Sequence, residues 1–309
     1  MEKVFAVLQV IMPIFVTIGL GVYARSHKVL TQEQIRGVEQ FVMKFGLPCV
    51  LFNSCLAASL GSESITSMAL VIPCVLFSSL SGFWLRKRQF KYHNLPMLFS
   101  AQESGMLGIP LFITLYGIQE AYRMGVLDLA QTMIAIPAIA ILTSNTGTNP
   151  SPLEIVWKVL RSPFLIASML GLLLNISGIA AYMDTLGILP VISETTGFLS
   201  EPVSAAMLFA VGYNFSLHRE YRKTIFRVAS IHFTLFAVIC VIMQGGLFFV
   251  PGIEAETRWA VLLYCMLPSS FLSPGMGRSE EDAVVASGVC SILTVTCLII
   301  FCIMAICVV

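Results

Sequence analysis

The chain has 309 residues, of which 57% are hydrophobic and only 11% are charged. Soluble domains carry roughly 25% charged residues, so this composition indicates an integral membrane protein and excludes an ordinary soluble domain. The formal net charge of +1 leaves no polybasic tail that would point to nucleic acid as a partner.

Apolar stretches of about 20 residues, long enough to cross a bilayer as a helix, recur along the whole chain. We predict ten spans joined by short polar connections, with the lipid bilayer as their surroundings. The first follows a single lysine and lacks a small-residue cleavage site, so we interpret it as a span rather than a signal peptide. Within the seventh, residues 189–199 are a candidate for a shorter helix lying against the membrane face. The predicted spans are 4–24, 36–58, 66–85, 95–117, 122–143, 162–179, 188–213, 226–249, 257–276 and 284–307.

The basic residues are divided unevenly between the two sides of these spans. Most lie in the odd-numbered connections, as Arg25 and Lys223 do, whereas the opposite side has only Lys3, Arg123 and Arg258. Because positive charge stays on the cytoplasmic side, both termini are predicted to lie outside the plasma membrane.

The two halves of the chain carry helix-breaking residues at corresponding places. Pro48 in the second span matches Pro202 in the seventh, and the break at Pro110 in the fourth matches one at Pro268 or Pro274 in the ninth. Five spans per half require the second half to be inverted, and inverted repeats with matching broken helices are typical of secondary transporters. The predicted domains are a first five-helix repeat (1–145), a cytoplasmic link (146–161) and an inverted second repeat (162–309).

The fourth span carries an ionisable residue, Glu103, near its middle. Pro110 removes the helical partner of the Met106 carbonyl, and Gly105 and Gly108 allow the backbone to bend and a neighbour to approach. Broken backbone at this depth is tolerated only where protein or a water-filled cavity satisfies it. An intramembrane carboxylate is therefore a functional-site hypothesis.

Six groups of short motifs are distributed along nearly the whole chain. They are Met12–Gly21, Phe45–Phe52, Leu107–Leu111 with Leu115–Gly117, Ser162–Leu172, Glu201–Val203 with Gly212, and Met266–Pro268. With these motifs the chain resembles the auxin efflux carrier family, which includes plant PIN carriers and bacterial malate and malonate permeases.

The resemblance implies an all-α fold like that of sodium/proton antiporters. Two inverted repeats would form a scaffold and a transport domain, and the fourth and ninth spans would be unwound and cross at prolines. An organic anion would bind beside this crossing, and access would alternate as one domain moves. The crossing prolines would be Pro110 and Pro268, with Pro274 as the competing choice. Plant carriers tend to have Asn where this chain has Glu103, so the auxin label is not carried over.

An anion in this site needs hydrogen-bond donors, which half-helix N-termini and hydroxyl groups provide. No basic residue lies near the middle of the fourth or ninth span, which favours a monocarboxylate slightly. Asn53 is either a pocket residue or an interhelical hydrogen bond. Asp128, one turn before Gln131, is either part of an ion site or the partner of Arg123. The candidate substrate- or ion-binding residues are Glu103, Ser104, Gly108, Pro110, Pro268, Ser269, Ser270, Asn53 and Gln131.

Three roles stay open for Glu103. An apolar surround favours the neutral carboxyl group, which would let Glu103 carry a coupled proton; alternatively it binds Na⁺, or it is a structural residue paired within the protein. No metal site is predicted, because the histidines share no metal-ligand spacing, and no cofactor is expected beyond coupled H⁺ or Na⁺. The nine cysteines are read as small apolar residues.

The leading hypothesis is a secondary carrier of small organic anions. A monovalent cation/proton antiporter is the alternative, although the sequence shows no close pair of acidic residues for it. A membrane-embedded enzyme or receptor is the third class, and no catalytic motif favours it. The oligomeric state stays open, with a homodimer through the scaffold domain as one option.

Overall fold

A computed structural model of the chain describes residues 2–58, 62–143, 157, 161, 163–216 and 220–308. Within these residues the fold is all-helical, and its β-structure is confined to one isolated antiparallel bridge. Most of the predicted link 146–161 lies outside the described residues.

The α-helices of the described part are numbered in chain order. They are α1 (Glu2–Ser26), α2 (Gln32–Phe41), α3 (Leu47–Ala57), α4 (Ser62–Arg88), α5 (Leu95–Ser100), α6 (Ile109–Tyr116), α7 (Ala121–Thr143), α8 (Pro163–Ile176), α9 (Ile179–Thr185), α10 (Ile188–Ser200), α11 (Val203–Asn214), α12 (Arg222–Phe248), α13 (Ala255–Met266) and α14 (Glu280–Val308). Wider π-helical turns cover Val42–Gly46 and Ser104–Gly108, and tight 3₁₀ turns cover Ile118–Glu120 and Ser273–Met276.

Several of these helices are long and apolar enough to cross a membrane. In the described residues they are Val7–Ser26, Gln32–Ala57, Glu63–Arg88, Arg222–Phe248 and Glu280–Val308. The pair Leu165–Ile176 and Ile179–Thr185, bent by 77°, adds a sixth if it counts as one span. The prediction of a helical membrane protein agrees with these lengths. Of the other predicted spans, the fourth, seventh and ninth fall on shorter or interrupted helices and the fifth falls on α7, so the count of ten stays a prediction.

The helices pack into two groups. The first bundle contains α1–α3 and α8–α11, in which α1 packs along α11, and α3 packs along α8 and α10. The second bundle contains α4–α7 and α12–α14, in which α4 packs against α5 and α7, and α12 packs against α13 and α14. Fewer contacts join the bundles, chiefly those of α11 with α6 and of α3 with α7.

Glycines allow the closest helix contacts of the first bundle. A Cβ atom at Gly21 would overlap the backbone of α11, and one at Gly212 would overlap the carbonyl oxygen of Ile18. Gly171 on α8 lies equally close to the carbonyl oxygen of Phe52. Small residues let membrane helices approach until their backbones touch, which strengthens packing where no hydrophobic effect drives association.

One end of the second bundle is held by Arg123, whose side chain is buried. Its guanidinium forms ion pairs with Glu63 (3.1 Å), Glu120 (2.6 Å) and Glu254, and donates to the Thr257 hydroxyl group. These partners belong to α4, to the turn before α7, and to the start of α13. The cluster therefore ties three parts of the second bundle together at the side opposite to Arg25 and Lys223 in the predicted topology.

The close contact of Gly21 with α11 predicts that valine substitutions at Gly21 and Gly19 differ in their effect on stability. Gly21→Val should overpack the α1–α11 interface and cost about 1–3 kcal/mol, because neither backbone has room to retreat. Gly19→Val should have little effect, because a Cβ atom at Gly19 meets no atom within 4 Å. Thermal unfolding of detergent-solubilised protein, followed by size-exclusion chromatography, measures both. Equal melting temperatures for the two variants would contradict the close contact.

Candidate functional site

The fourth predicted span is interrupted between α5 and α6. α5 ends at Ser100, and Ala101 has an extended backbone (φ −144°, ψ 135°). The chain resumes in the π-helical turn Ser104–Gly108, and Pro110 lies in the first turn of α6. The N–H of Ile109 bonds to the carbonyl oxygen of Ser104, so the half-helix that begins at Ser104 continues through Pro110. The interruption therefore lies before Pro110, at residues 101–103.

The ninth predicted span is interrupted as well, and the two breaks pair with each other. α13 ends at Met266, and an antiparallel bridge joins Gln102 to Ser269. The N–H of Glu103 donates to the carbonyl oxygen of Pro268 at 2.8 Å. Pro274 lies beyond this contact, in the 3₁₀ turn Ser273–Met276. The chain thus crosses itself at Gln102 and Ser269, beside Pro268 and not at Pro110.

Gln131 on α7 completes the hydrogen bonding of the first break. Its Oε1 accepts from the backbone N–H of Gln102, and its Nε2 donates to the carbonyl oxygen of Gln102, both at 2.9 Å. Its Nε2 also donates to Asp128 at 2.7 Å, and the hydroxyl group of Tyr264 donates to its Oε1 at 2.8 Å. The side-chain amide of Gln131 thus pairs with Gln102 as a neighbouring strand would.

Glu103 lies where the two breaks meet. Its side chain is 8% exposed, and Oε1 accepts from the N–H of Met106 at 3.3 Å while Oε2 accepts from the N–H of Phe271 at 2.6 Å. The first of these bonds caps the half-helix that begins at Ser104, where a negative charge is favourable. In this arrangement, the protein's own carboxylate accepts from N–H groups of both breaks, where the sequence predicted donors for a substrate.

A cavity of about 600 Å³ lies between the two bundles. α2, its π-helical turn and the end of α11 form one wall, and the two breaks with α14 form the other. Apolar side chains, such as Met43 and Met106, alternate with polar ones along it. The main polar lining residues are Arg25, Gln32, Arg36, Glu39, Lys44, Glu103, Asn214 and Ser270.

Of the residues predicted for the site, Glu103 and Ser270 line this cavity. Ser104 is buried beside Gln131, whose Nε2 donates to its hydroxyl oxygen at 3.4 Å. The side chain of Ser269 does not line the cavity, because its hydroxyl group donates to the carbonyl oxygen of Leu98 at 2.6 Å.

The remaining predicted residues serve packing or lie elsewhere. A Cβ atom at Gly108 would press on Leu267 and Met124, so this glycine makes room for the crossing. Asn53 accepts a hydrogen bond from the Thr196 hydroxyl group at 2.6 Å and does not line the cavity. This contact joins α3 to α10, which is the interhelical alternative considered for Asn53.

Asp128 pairs with the crossing and not with Arg123. Its carboxylate accepts from Gln131 and interacts with the hydroxyl group of Ser104. Glu103 and Asp128 thus flank Ser104 from two elements, although 25 positions separate them (128 − 103). No close acidic pair is visible in the sequence, because this proximity exists only after α7 packs beside the crossing.

The cationic wall of the cavity was missed by sequence reasoning. Arg25 comes from the first predicted connection, and Arg36 and Lys44 come from the second predicted span, whereas the donors were expected on the fourth and ninth spans. Lys44 is a lysine within a predicted span, and for such a residue snorkelling towards the nearer membrane face is the ordinary expectation. Its position near the middle of an apolar span was the signal that could have revealed it.

Comparison with known proteins agrees with the resemblance given by the motifs. Residues 6–151 match a family described as membrane transport protein. The protein named uncharacterized transporter YfdV from Escherichia coli strain K12 is 21% identical over 224 residues, which cover 68% of this chain and 68% of the relative. The proteins of the same name from Escherichia coli O157:H7 and Shigella flexneri match equally well. The predicted resemblance to the auxin efflux carrier family is thereby confirmed.

The hydrogen bonds of Gln131 predict a graded loss of thermal stability when this residue is substituted. Gln131→Leu leaves the buried N–H of Gln102 without its acceptor and should cost about 1–3 kcal/mol, whereas the Gln102 carbonyl oxygen keeps the N–H of Ser104 as a donor. Gln131→Glu keeps the acceptor for the Gln102 N–H, and its protonated carboxyl group can still donate one hydrogen bond to Asp128 or to the Gln102 carbonyl oxygen, so the loss of stability should be intermediate. Melting temperatures in detergent give the order, and Gln40→Leu on the cavity wall serves as the control. A Gln131→Leu variant as stable as the wild type would contradict the pairing of the Gln131 amide with Gln102.

Proposed function

We propose that this chain, whose residues 6–151 match the membrane transport protein family, is a secondary carrier of small organic anions. One observation carries the proposal: a cavity of about 600 Å³ between two helix bundles reaches a pair of broken, crossing segments. Broken backbone that lines a cavity is the usual form of a substrate site in secondary transporters. The cavity is also of the size that holds a small molecule.

The packing of the bundles supports ten spans in two inverted repeats. α1 packs on α11 as α8 packs on α3, and α4 contacts α5 and α7 as α12 contacts α13 and α14. Each relation is repeated when the first five spans are exchanged with the last five. In this proposal the repeats are 1–145 and 162–309, the first bundle is the scaffold and the second is the transport domain.

The lining of the cavity supports an inward-facing arrangement. Arg25 and Gln32, on the connection predicted to be cytoplasmic, lie at the cavity, whereas Arg123 and its carboxylates lie at the opposite end of the second bundle. With both termini outside the plasma membrane, the cavity would open to the cytoplasm. Movement of the second bundle along the first would then expose the crossing to the other side. A homodimer through the first bundle remains part of this proposal.

The position of Glu103 suggests how a proton couples to the substrate. While ionised, Glu103 accepts from the N–H of Phe271, a donor that a substrate carboxylate would need. A protonated Glu103 is a weaker acceptor and carries no charge to repel the substrate. A substrate carboxylate would then take the Phe271 N–H, with the hydroxyl group of Ser270 beside it. Proton and anion would therefore bind together.

A monovalent cation/proton antiporter is the second candidate. The observation that favours it is the proximity of Glu103 and Asp128 on either side of Ser104. Such a site would bind Na⁺ with carboxylate and freed carbonyl oxygens. It would respond to Na⁺ or pH jumps with no organic acid present, whereas the anion carrier needs the acid.

The decisive measurement is transient current from proteoliposomes on solid-supported membranes. Jumps of mono- and dicarboxylates, with and without Na⁺ and at two pH values, should give a current for one class of acid. A current in response to Na⁺ or pH jumps alone, with none for any acid, would reject the carrier and favour the antiporter.

Glu103→Gln tests the coupling. The variant cannot be ionised, so its residual acid-driven current should lose the pH dependence of the wild type. Glu39→Gln, which makes the same change at another carboxylate of the cavity, should keep that dependence. A Glu103→Gln current with the wild-type pH dependence would rule out the proton role.

A further inference from the structure

Lys44 lies at the depth of the crossing but on the opposite bundle. It belongs to the 26-residue candidate span Gln32–Ala57, and at 1.5 Å per residue it is roughly 18–20 Å along the helix from either end. Polar residues of α2 between Gln32 and Lys44 line the same cavity as Lys44. A charge at this depth needs a partner or a water-filled cavity.

The local backbone gives Lys44 a place on the cavity wall. It lies in the π-helical turn Val42–Gly46, in which the N–H of Leu47 bonds to the carbonyl oxygen of Val42. Such turns shift the helical register and recur at functional sites. The preceding residue, Met43, lies with its sulfur 4.0 Å from the Cβ position of Gly105 in the crossing. The π-helical turns of the two bundles therefore face each other, and Lys44 and Glu103 line the same cavity.

Two other charged residues of the cavity, Arg25 and Glu39, are engaged locally. The guanidinium of Arg25 donates to the carbonyl oxygens of Tyr213 (3.2 Å) and Phe215 (2.8 Å). Glu39 accepts from the side-chain amide of Asn214 at 2.6 Å. Among the described residues, the ion pairs all centre on Arg123, so Lys44 takes part in none.

We propose that the ammonium group of Lys44 binds an anionic group of the transported substrate. This inference rests on the proposed carrier function and deepens it. The substrate would bridge the bundles, with one end at Lys44 on the first and the other at Ser270 and the Phe271 N–H on the second. The cation and the donors thus come from opposite walls, so binding would depend on how the bundles face each other. A dianion can then also be accommodated, because Lys44 on the second span supplies the positive charge that the fourth and ninth spans lack.

The test compares three variants by solid-supported-membrane currents. Sodium lactate and pyruvate serve as monoanions, and sodium malonate and succinate as dianions. For each acid that the wild type carries, Lys44→Met should raise the half-saturating concentration roughly tenfold to a hundredfold, as expected for a lost charge-assisted hydrogen bond. Lys44→Arg, which keeps the charge, should restore most of the affinity. Lys87→Met, the same change at an exposed lysine outside the cavity, should match the wild type.

The outcomes separate this inference from the proposed function. If the wild type carries an acid and Lys44→Met keeps its half-saturating concentration within twofold, the role of Lys44 is wrong and the carrier stands. If the wild type carries no acid, both are wrong, and the wild-type traces alone show it. Lys44→Met should be stable because it removes a charge from an apolar span. Size-exclusion profiles check this, and Lys44→Glu should abolish the current if the Met variant folds poorly.

Discussion

Every backbone N–H and C=O group at membrane depth needs a partner inside the protein, and this requirement organises the centre of the molecule. Two interrupted helices would each expose such groups, but together they satisfy them. Gln102 bridges to Ser269 on one side and pairs with the Gln131 amide on the other. The crossing is therefore a joint product of three segments, and α7 is as much a part of it as the two broken spans. This couples the parts of the second bundle mechanically.

The crossing also explains why a carboxylate is tolerated there. Glu103 accepts hydrogen bonds from N–H groups of both breaks, so its charge is compensated by backbone dipoles and not by a basic residue. In the proposed carrier, protonation of Glu103 would weaken its hold on these donors and so make room for a substrate carboxylate. Structural and coupling roles for Glu103 are thus compatible. The same carboxylate would hold the breaks together in one protonation state and release their donors in the other.

Charge is distributed differently at the two ends of the molecule. At one end, Arg123 satisfies several carboxylates and holds α4, α7 and α13 together. At the other, cationic side chains line an open cavity, and Lys44 has no ion pair among the described residues. Paired charges rigidify the second bundle, whereas an unpaired cation on the first is available to a ligand. The proposed carrier would use both features, because a rigid second bundle would move along a first bundle whose cation binds the substrate.

The membrane class, the positions of most helices and the two interrupted spans can be predicted from the sequence. These follow from composition, apolar length and proline, which act locally. Glu103 and Gln131 can be found in the same way, because polar residues within apolar spans stand out. The folded chain is needed to see that the crossing is at Gln102, that Asp128 approaches Glu103, and that Lys44 shares a cavity with Glu103. Those relations join residues far apart in the chain, and their partners are selected by helix packing, which no local pattern encodes.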